Sequence, residues 1–393
     1  MRTVILGANK RAATALLIVL FGAPFSKGWS QLVVSGQASG GIANGEGNDW
    51  QYAFGGGLPT FFWRGDLFVD MVLADDIAFL SNFRLLQDQE LRIDLFALRF
   101  SDIASTGINV QLGQVDLPIG SLGERRFPKQ NPFFRLPLMN EHLTTLCSSD
   151  YFVWVLDPEF ARRGDGVRIL DLGLYDLGVK AYGSFGIFDY ALALINGMAS
   201  ATSTYGTTGL NINDGLGTVG RMAVTPVTGL TVGVSYSTGS FMSDQSANIN
   251  SYLFQEDPDD HPQHIVSGDV EFSHGHFSFY GQAMYNIWEY EQDLKAFGFS
   301  AEVDYALTPR LFVAARGGGL MFNEVTNLTV PIITGPVSFS GRWDRDVFRL
   351  ETSVRYRITR EALVKVVYEW NRTFNIVNDP ADNLLVLQTV LSF

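Results

Sequence analysis

The sequence predicts an all-β chain, a transmembrane antiparallel β-barrel of about sixteen strands with a long third extracellular loop folded inward. Three observations predict it. Apolar and polar residues alternate with period two along many segments. Long connections fall only at odd-numbered places between those segments, although two odd connections, near Asp88 and Glu291, are short. Past the N-terminal segment, no apolar run is long enough for a membrane-spanning helix.

The N-terminal residues set the compartment. Arg2, Lys10 and Arg11 form a positive region, and Ala12 to Ala23 (AATALLIVLFGA) form a short apolar core. That pattern predicts a cleavable secretory signal peptide over 1–30. Gly28 and Ser30 place the cut before Gln31, with Ser26 as the alternative. Without Arg2, Lys10, Arg11 and Lys27, the 28 basic residues fall to 24 against 41 acids, a net charge of about −17. Such a balance argues against general nucleic-acid binding. Cys147 is the single cysteine, so the exported chain has no internal disulfide framework.

The alternation is clearest near the C-terminus. Phe348, Leu350, Thr352, Val354, Tyr356 and Ile358 fall on one face, with Arg349, Glu351, Ser353, Arg355 and Arg357 on the other. Ala362, Val364, Val366, Tyr368 and Trp370 likewise oppose Lys365, Glu369 and Asn371. The last segment sets Leu385, Leu387, Thr389, Leu391 and Phe393 on one face. Ions along the second face suit a watery lumen better than a dry core. Lys180, Arg221, Arg316, Arg349, Glu351, Arg355, Arg357 and Lys365 are therefore predicted to line that lumen. They either present charge to solutes or lock strands together by pairing with acids.

Strand starts are expected near residues 32, 60, 77, 91, 107, 166, 187, 216, 229, 264, 275, 294, 309, 345, 361 and 383. SDIASTG, GSFGIF, TPVTG, SHGH, LTPR and ITRE all occupy even-numbered connections, whereas 43–59, 116–165, 200–215, 241–263, 323–344 and 375–382 are long and odd-numbered. Barrels of the outer membrane keep this rotation between periplasmic turns and outer loops. Fourteen or eighteen strands fit the same pattern if a weak segment is split or merged. LRIDLFALRFSD is one such segment, because its polar face changes halfway. The mature part, 31–393, reads as one domain.

The third loop, 116–165, is too long for an ordinary connection, and its Phe133, Phe134, Tyr151, Phe152 and Trp154 demand burial. The nearest place to bury it is the lumen. Arg125, Arg126, Lys129 and Arg135 cluster within it and mark a pore constriction, either as an anion-attracting ring or as partners for lumen acids such as Glu302 and Asp304.

VQLGQVDLPIG (Val110–Gly120), DLGVKAYGSFGIFDYALALINGM (Asp176–Met198), VGRMAVTPVTGLTVGVSYSTG (Val219–Gly239), WDRDVFRLETSVRYRI (Trp343–Ile358) and the terminal Phe together resemble the phosphate-selective porin O/P family. The resemblance implies a sixteen-stranded, trimeric channel for small anions, its selectivity resting on Arg and Lys of the lumen and loop. The expected function is passive diffusion of small hydrophilic solutes across the outer membrane, with a lean toward anions such as phosphate. The alternative is a non-conducting barrel acting as a structural or adhesive surface protein. Expected partners are outer-membrane lipids, the solutes, further copies in a homotrimer, and the assembly machinery, for which Phe393 closes the signal strand.

No cofactor and no catalysis are expected. The five histidines are His142, His261, His264, His274 and His276, and none has a nucleophile fixed beside it by spacing. His142 lies near Ser148 and Asp150 in sequence. The acidic run Glu256, Asp257, Asp259, Asp260 with His261 and His264 has no recognised metal-loop spacing and reads as a solvated outer loop.

Overall fold

A computed structural model describes residues 31–45, 60–86, 91–147, 166–170, 174–200, 215–241, 261–290, 292–332, 335–374 and 383–393. Residues 1–30, expected to be the signal peptide, loop residues 148–165 with Tyr151, Phe152, Trp154, Ser148 and Asp150, and the acidic run Glu256–Asp260 lie outside the described residues.

Twenty strands follow in chain order: β1 (Leu32–Gly45), β2 (Thr60–Ala74), β3 (Ile77–Leu86), β4 (Leu91–Phe100), β5 (Ile108–Asp116), β6 (Leu143–Cys147), β7 (Gly166–Arg168), β8 (Tyr175–Phe185), β9 (Phe188–Ile195) and β10 (Gly217–Val227). Then come β11 (Leu230–Ser240), β12 (Pro262–His274), β13 (Phe277–Trp288), β14 (Leu294–Ala306), β15 (Leu311–Phe322), β16 (Glu324–Ile332), β17 (Gly335–Arg342), β18 (Val347–Arg357), β19 (Ala362–Thr373) and β20 (Leu384–Ser392). Sixteen of them, all but β6, β7, β16 and β17, form one closed antiparallel barrel. Closure runs through β1 and β20, where Gln37 faces Ser392 and Gly45 faces Leu384. Beyond β20, the Phe393 N–H donates to Gly36 O at 3.0 Å and Gly36 N–H returns to Phe393 O at 3.1 Å. No described helix is long and apolar enough to cross a membrane.

The period-two reading decides inside from outside. Along β19, Lys365, Val367 and Glu369 are 0 % exposed while Val366 and Tyr368 between them are 46 % and 43 % exposed. The small, enclosed face is the lumen and the apolar exposed face is the outer wall. Leu385, Leu387 and Leu391 of the final strand are likewise on the outside. Tight connections occur where expected, and Gly186, Gly229 and Gly275 take φ of 62°, 88° and 61° to close three of them.

Four details differ from the sequence reading. The sixth barrel strand begins at Tyr175 rather than near 166, because Leu174 sits at φ 49° and breaks the extended path. Gly166–Arg168 instead pairs with Leu143–Cys147 inside the loop. The connection after β15 contains a hairpin, β16–β17, rather than plain loop. The face change in LRIDLFALRF is a register shift of β4 against β3, opposite Asn82 and Phe83. Finally, the lumen is not polar throughout. Toward the long-loop end, inward residues Ile195, Val219, Ile265, Met284, Trp288, Leu294, Leu320 and Phe322 join one apolar cluster with loop residues Leu117, Ile119, Leu122, Leu138, Met139 and Leu146. The loop covers that wall and excludes water from it.

The seam tolerates no side chain at Gly41. A Cβ there would stand 1.9 Å from the carbonyl oxygen of Leu387 on β20. Gly41→Ala is expected to lower the melting temperature of the refolded barrel, read as loss of its heat-modifiable gel mobility. Gly65→Ala, where the added Cβ meets nothing within 4 Å, is expected to leave it unchanged. On the outer wall, Leu387→Arg is expected to cost about 2–4 kcal/mol of folding free energy in lipid if the site lies near mid-membrane.

Candidate functional site

The barrel register lines up charge on the inner wall. Glu302 of β14 is opposite Arg316 of β15, and Arg316 is opposite Glu351 of β18. Glu351 is in turn opposite Glu369 of β19, and two rungs below them Arg355 is opposite Lys365. Like charges face each other at both of these last positions, which disfavours the pairing unless a third group intervenes.

Arg316 holds the centre of this belt. Its guanidinium grips the Glu351 carboxylate with Nε at 2.6 Å and Nη2 at 2.8 Å, and reaches Glu302 at 3.5 Å. The same side chain donates to Arg135 O of the loop at 2.7 Å and lies 4.4 Å over the Phe133 ring. Arg349 donates to Asn371 Oδ1 at 3.0 Å and to the Glu141 carboxylate at 3.1 Å. Bidentate and charge-assisted geometry of this kind suits Arg rather than Lys.

The loop supplies the missing charges. Its first part runs against the inner wall through the 3₁₀ turn Gly123–Arg126, and a one-turn helix Leu138–Glu141 follows. Arg135 Nε lies 3.6 Å from the Glu369 carboxylate and Arg125 3.3 Å from Glu302, with Arg125 also stacked 3.7 Å over Tyr280. Arg126 lies 4.3 Å over the Tyr175 ring. Lys129 Nζ donates to Ser392 Oγ at 2.6 Å, and its N–H donates to Gln37 Oε1 at 2.9 Å. Phe133 is fully buried and Phe134 packs 4.6 Å from Phe62.

Of the other wall residues singled out from sequence, Lys180 pairs with Asp116 at 2.6 Å and Arg221 with Asp269 at 2.5 Å. Arg355 pairs with Asp304. Arg357 is exposed at the tight-turn end, 4.7 Å over Phe312. Lys365 is fully buried against the loop. The four loop cations therefore do not form one ring. Arg125 and Arg135 are engaged by wall acids, whereas Arg126 borders a cavity of about 540 Å³ beneath the loop, lined also by Lys180, Arg221, Asp116 and Asp189.

Sequence reading missed the quartet Arg64, Asp66, Arg84 and Asp94 on β2, β3 and β4. Arg64 and Arg84 approach Asp66 at 2.8 and 3.2 Å, and Arg84 approaches Asp94 at 2.5 Å. The signal was present in TFFWRGDLFVD, where Arg64 and Asp66 share a parity, but the shifted register of β4 hides their partners. Glu141 was also missed. Burial pushes its carboxyl up to about 8, with help from Glu369 and Glu351 and against the pull of Arg135 and Leu136 N–H.

His142 lies against Asp344 at 3.3 Å, and His264 contacts Glu289 at 3.2 Å and Tyr236 at 3.0 Å. Among the described residues, no group of three or more His, Cys, Asp or Glu is placed to hold a metal ion.

The fold is that of porin-type barrels, and solved outer-membrane structures with that fold resemble it over nearly the whole chain. The anion-selective porin of Comamonas acidovorans superposes with TM-score 0.61 at 8 % identity, covering 93 % of this chain and 100 % of that one. The outer membrane channel DcaP of Acinetobacter baumannii gives 0.57 at 12 % identity over 94 % and 99 %. OmpT of Vibrio cholerae in its trimer form gives 0.53 at 11 % identity over 93 % and 100 %. At such identities the likeness is one of fold. No protein-family model matches the sequence, and no curated protein matches it.

Two outcomes follow from the belt. Arg316→Met strands the buried Glu351 carboxylate, leaves Glu302 with Arg125 alone, and is expected to destabilise the barrel by about 3–5 kcal/mol. Arg316→Met combined with Glu351→Leu is expected to recover part of that loss in urea unfolding from lipid vesicles. For Glu141, the packed loop binds the proton more tightly than the released loop does. Its stability therefore falls as pH rises from the ordinary 4.5 to about 8 and is flat above. Hydrogen-exchange protection of 136–142, corrected for intrinsic rates, is expected to show that slope, and Glu141→Gln to abolish it.

Proposed function

We propose that the protein is an outer-membrane porin for passive diffusion of small hydrophilic solutes, with a modest preference for anions such as phosphate. The observation that carries the reading is a closed sixteen-stranded barrel whose inner wall is charged and whose third loop is hydrogen-bonded and ion-paired to that wall. A solute passing such a constriction exchanges its hydration for fixed charges, so width and charge set the selectivity. The anion preference rests on Arg126, Lys180 and Arg221 around the cavity beneath the loop, against Asp116 and Asp189. Partial pairing of these cations makes the preference modest and sensitive to salt. The loop cations Arg125, Arg126, Lys129 and Arg135 act as the constriction mainly by holding the loop in place. No cofactor and no catalytic step enter.

The protein would work as a homotrimer, as the trimer form of the Vibrio cholerae neighbour suggests. Phe393 would complete the strand read by the assembly machinery, and residues 1–30 would serve as the export signal. A second reading has a specific observation behind it. The described loop touches β1, β2, β14, β15, β18, β19 and β20 at once, which favours a plugged, non-conducting surface barrel if no gap remains.

Single-channel recording of the refolded mature chain in a planar bilayer decides between them. The porin reading expects a stable open conductance whose reversal potential under a salt gradient has the sign of anion preference. Arg126→Glu is expected to shift that potential toward cations. A folded barrel that never conducts would favour the plugged reading.

A further inference from the structure

The Lys365 Nζ is enclosed, the residue being 0 % exposed, and it donates to three backbone carbonyls of one loop turn, as many as an ammonium can serve. Pro128 O lies at 2.7 Å, Asn131 O at 2.9 Å and Phe133 O at 3.1 Å. Among the described residues no carboxylate lies within ion-pair distance of it, and its cross-strand neighbours are another cation, Arg355, and the neutral Gln388. Buried lysines are ordinarily paired with an acid. Here the neutralising partners are carbonyl dipoles alone.

The turn is built to present them. Gln130 N–H and Asn131 N–H both donate to Phe127 O, at 3.1 and 2.8 Å. The Asn131 side chain accepts from Phe133 N–H at 2.9 Å and donates to Arg135 O at 2.9 Å. Pro128 and Pro132 restrict the backbone on either side of Asn131. Three carbonyls held at one point form the kind of oxygen seat that otherwise takes a small cation. The turn also straddles the closing seam: Lys365 belongs to β19, Ser392 under Lys129 to β20, and Gln37 under Lys129 N–H to β1.

We propose that Lys365 is a built-in ammonium ion filling a cation seat in the third loop, and that this contact positions the loop tip against the barrel seam. The inference deepens the pore reading, since the position of the tip sets the width of the constriction. It also predicts the ligand class of the emptied seat: a primary alkylammonium that can donate three hydrogen bonds.

The test is hydrogen exchange of the loop peptide 127–136 in the refolded full barrel. Lys365→Met is expected to speed exchange there by roughly tenfold or more, the scale of losing hydrogen bonds to a charged group. In Lys365→Ala, added n-propylammonium is expected to restore protection, while tetramethylammonium, equal in charge but without an N–H, does not. Unchanged exchange in Lys365→Met overturns the proposal, and so does rescue by both ions or by neither. If neither variant folds, amine acylation of the folded wild type decides. Lys365 is expected to resist labelling while Lys129 reacts, and Asn131→Ala is expected to expose Lys365. Equal labelling of the two lysines in wild type overturns the assignment. Conductance of the wild type is recorded separately, so a barrel that fails to conduct counts against the pore reading and leaves the exchange and labelling results standing.

Discussion

Closure of the sheet dictates everything inside it. Once β20 pairs with β1, every cross-strand register is set, and no strand can slide to choose a better partner. That constraint brings Glu351 beside Glu369 and Arg355 beside Lys365. A wall with such neighbours cannot neutralise itself. Arg316 from β15 and Asp304 from β14 answer part of the imbalance, and the rest is answered by groups that belong to no barrel strand: Arg135, Arg125 and three carbonyls of the loop. The loop and the wall are therefore one electrostatic unit, and each is incomplete without the other.

The loop divides its work by height in the barrel. Toward the long-loop end it buries apolar surface against Trp288, Trp343, Phe322 and their neighbours, where Phe322 and Trp288 each meet the Trp343 ring edge-on at 5.0 and 5.2 Å. Deeper in, it exchanges hydrogen bonds and ion pairs with the belt. The apolar part gives adhesion that salt does not screen, and the ionic part gives position, because bidentate and three-donor contacts tolerate little displacement. On the proposed porin reading a solute passes what remains between the loop and the wall, so small shifts of the loop tip would weigh heavily on permeation.

Much of this was legible in the residues. The period-two pattern at Arg349–Arg357 and Lys365–Asn371 stated which side chains point inward: Arg349, Glu351, Ser353, Arg355, Lys365, Glu369 and Asn371 are enclosed, whereas Arg357 is exposed where its strand ends at a tight turn. Counting the alternating segments gave about sixteen strands, and the rotation of SHGH, LTPR and ITRE against the long connections pointed to a barrel, with the tertiary structure choosing sixteen over fourteen or eighteen. What failed did so for local physical reasons: an αL residue at Leu174 delayed a strand, and a register shift in β4 hid the Arg64–Asp66–Arg84–Asp94 quartet.

The sequence by itself determined the fold class, the two faces of each strand and the identity of the loop that must be buried, because alternation and connection length are properties of short segments. Only the tertiary structure decided which charges meet. Arg135 and Glu369, or Lys365 and the carbonyls of Pro128, Asn131 and Phe133, are more than 200 positions apart and are joined by barrel closure alone. Whether an inward cation faces a solute or a carbonyl depends on where the loop lies, and no period along the chain records that.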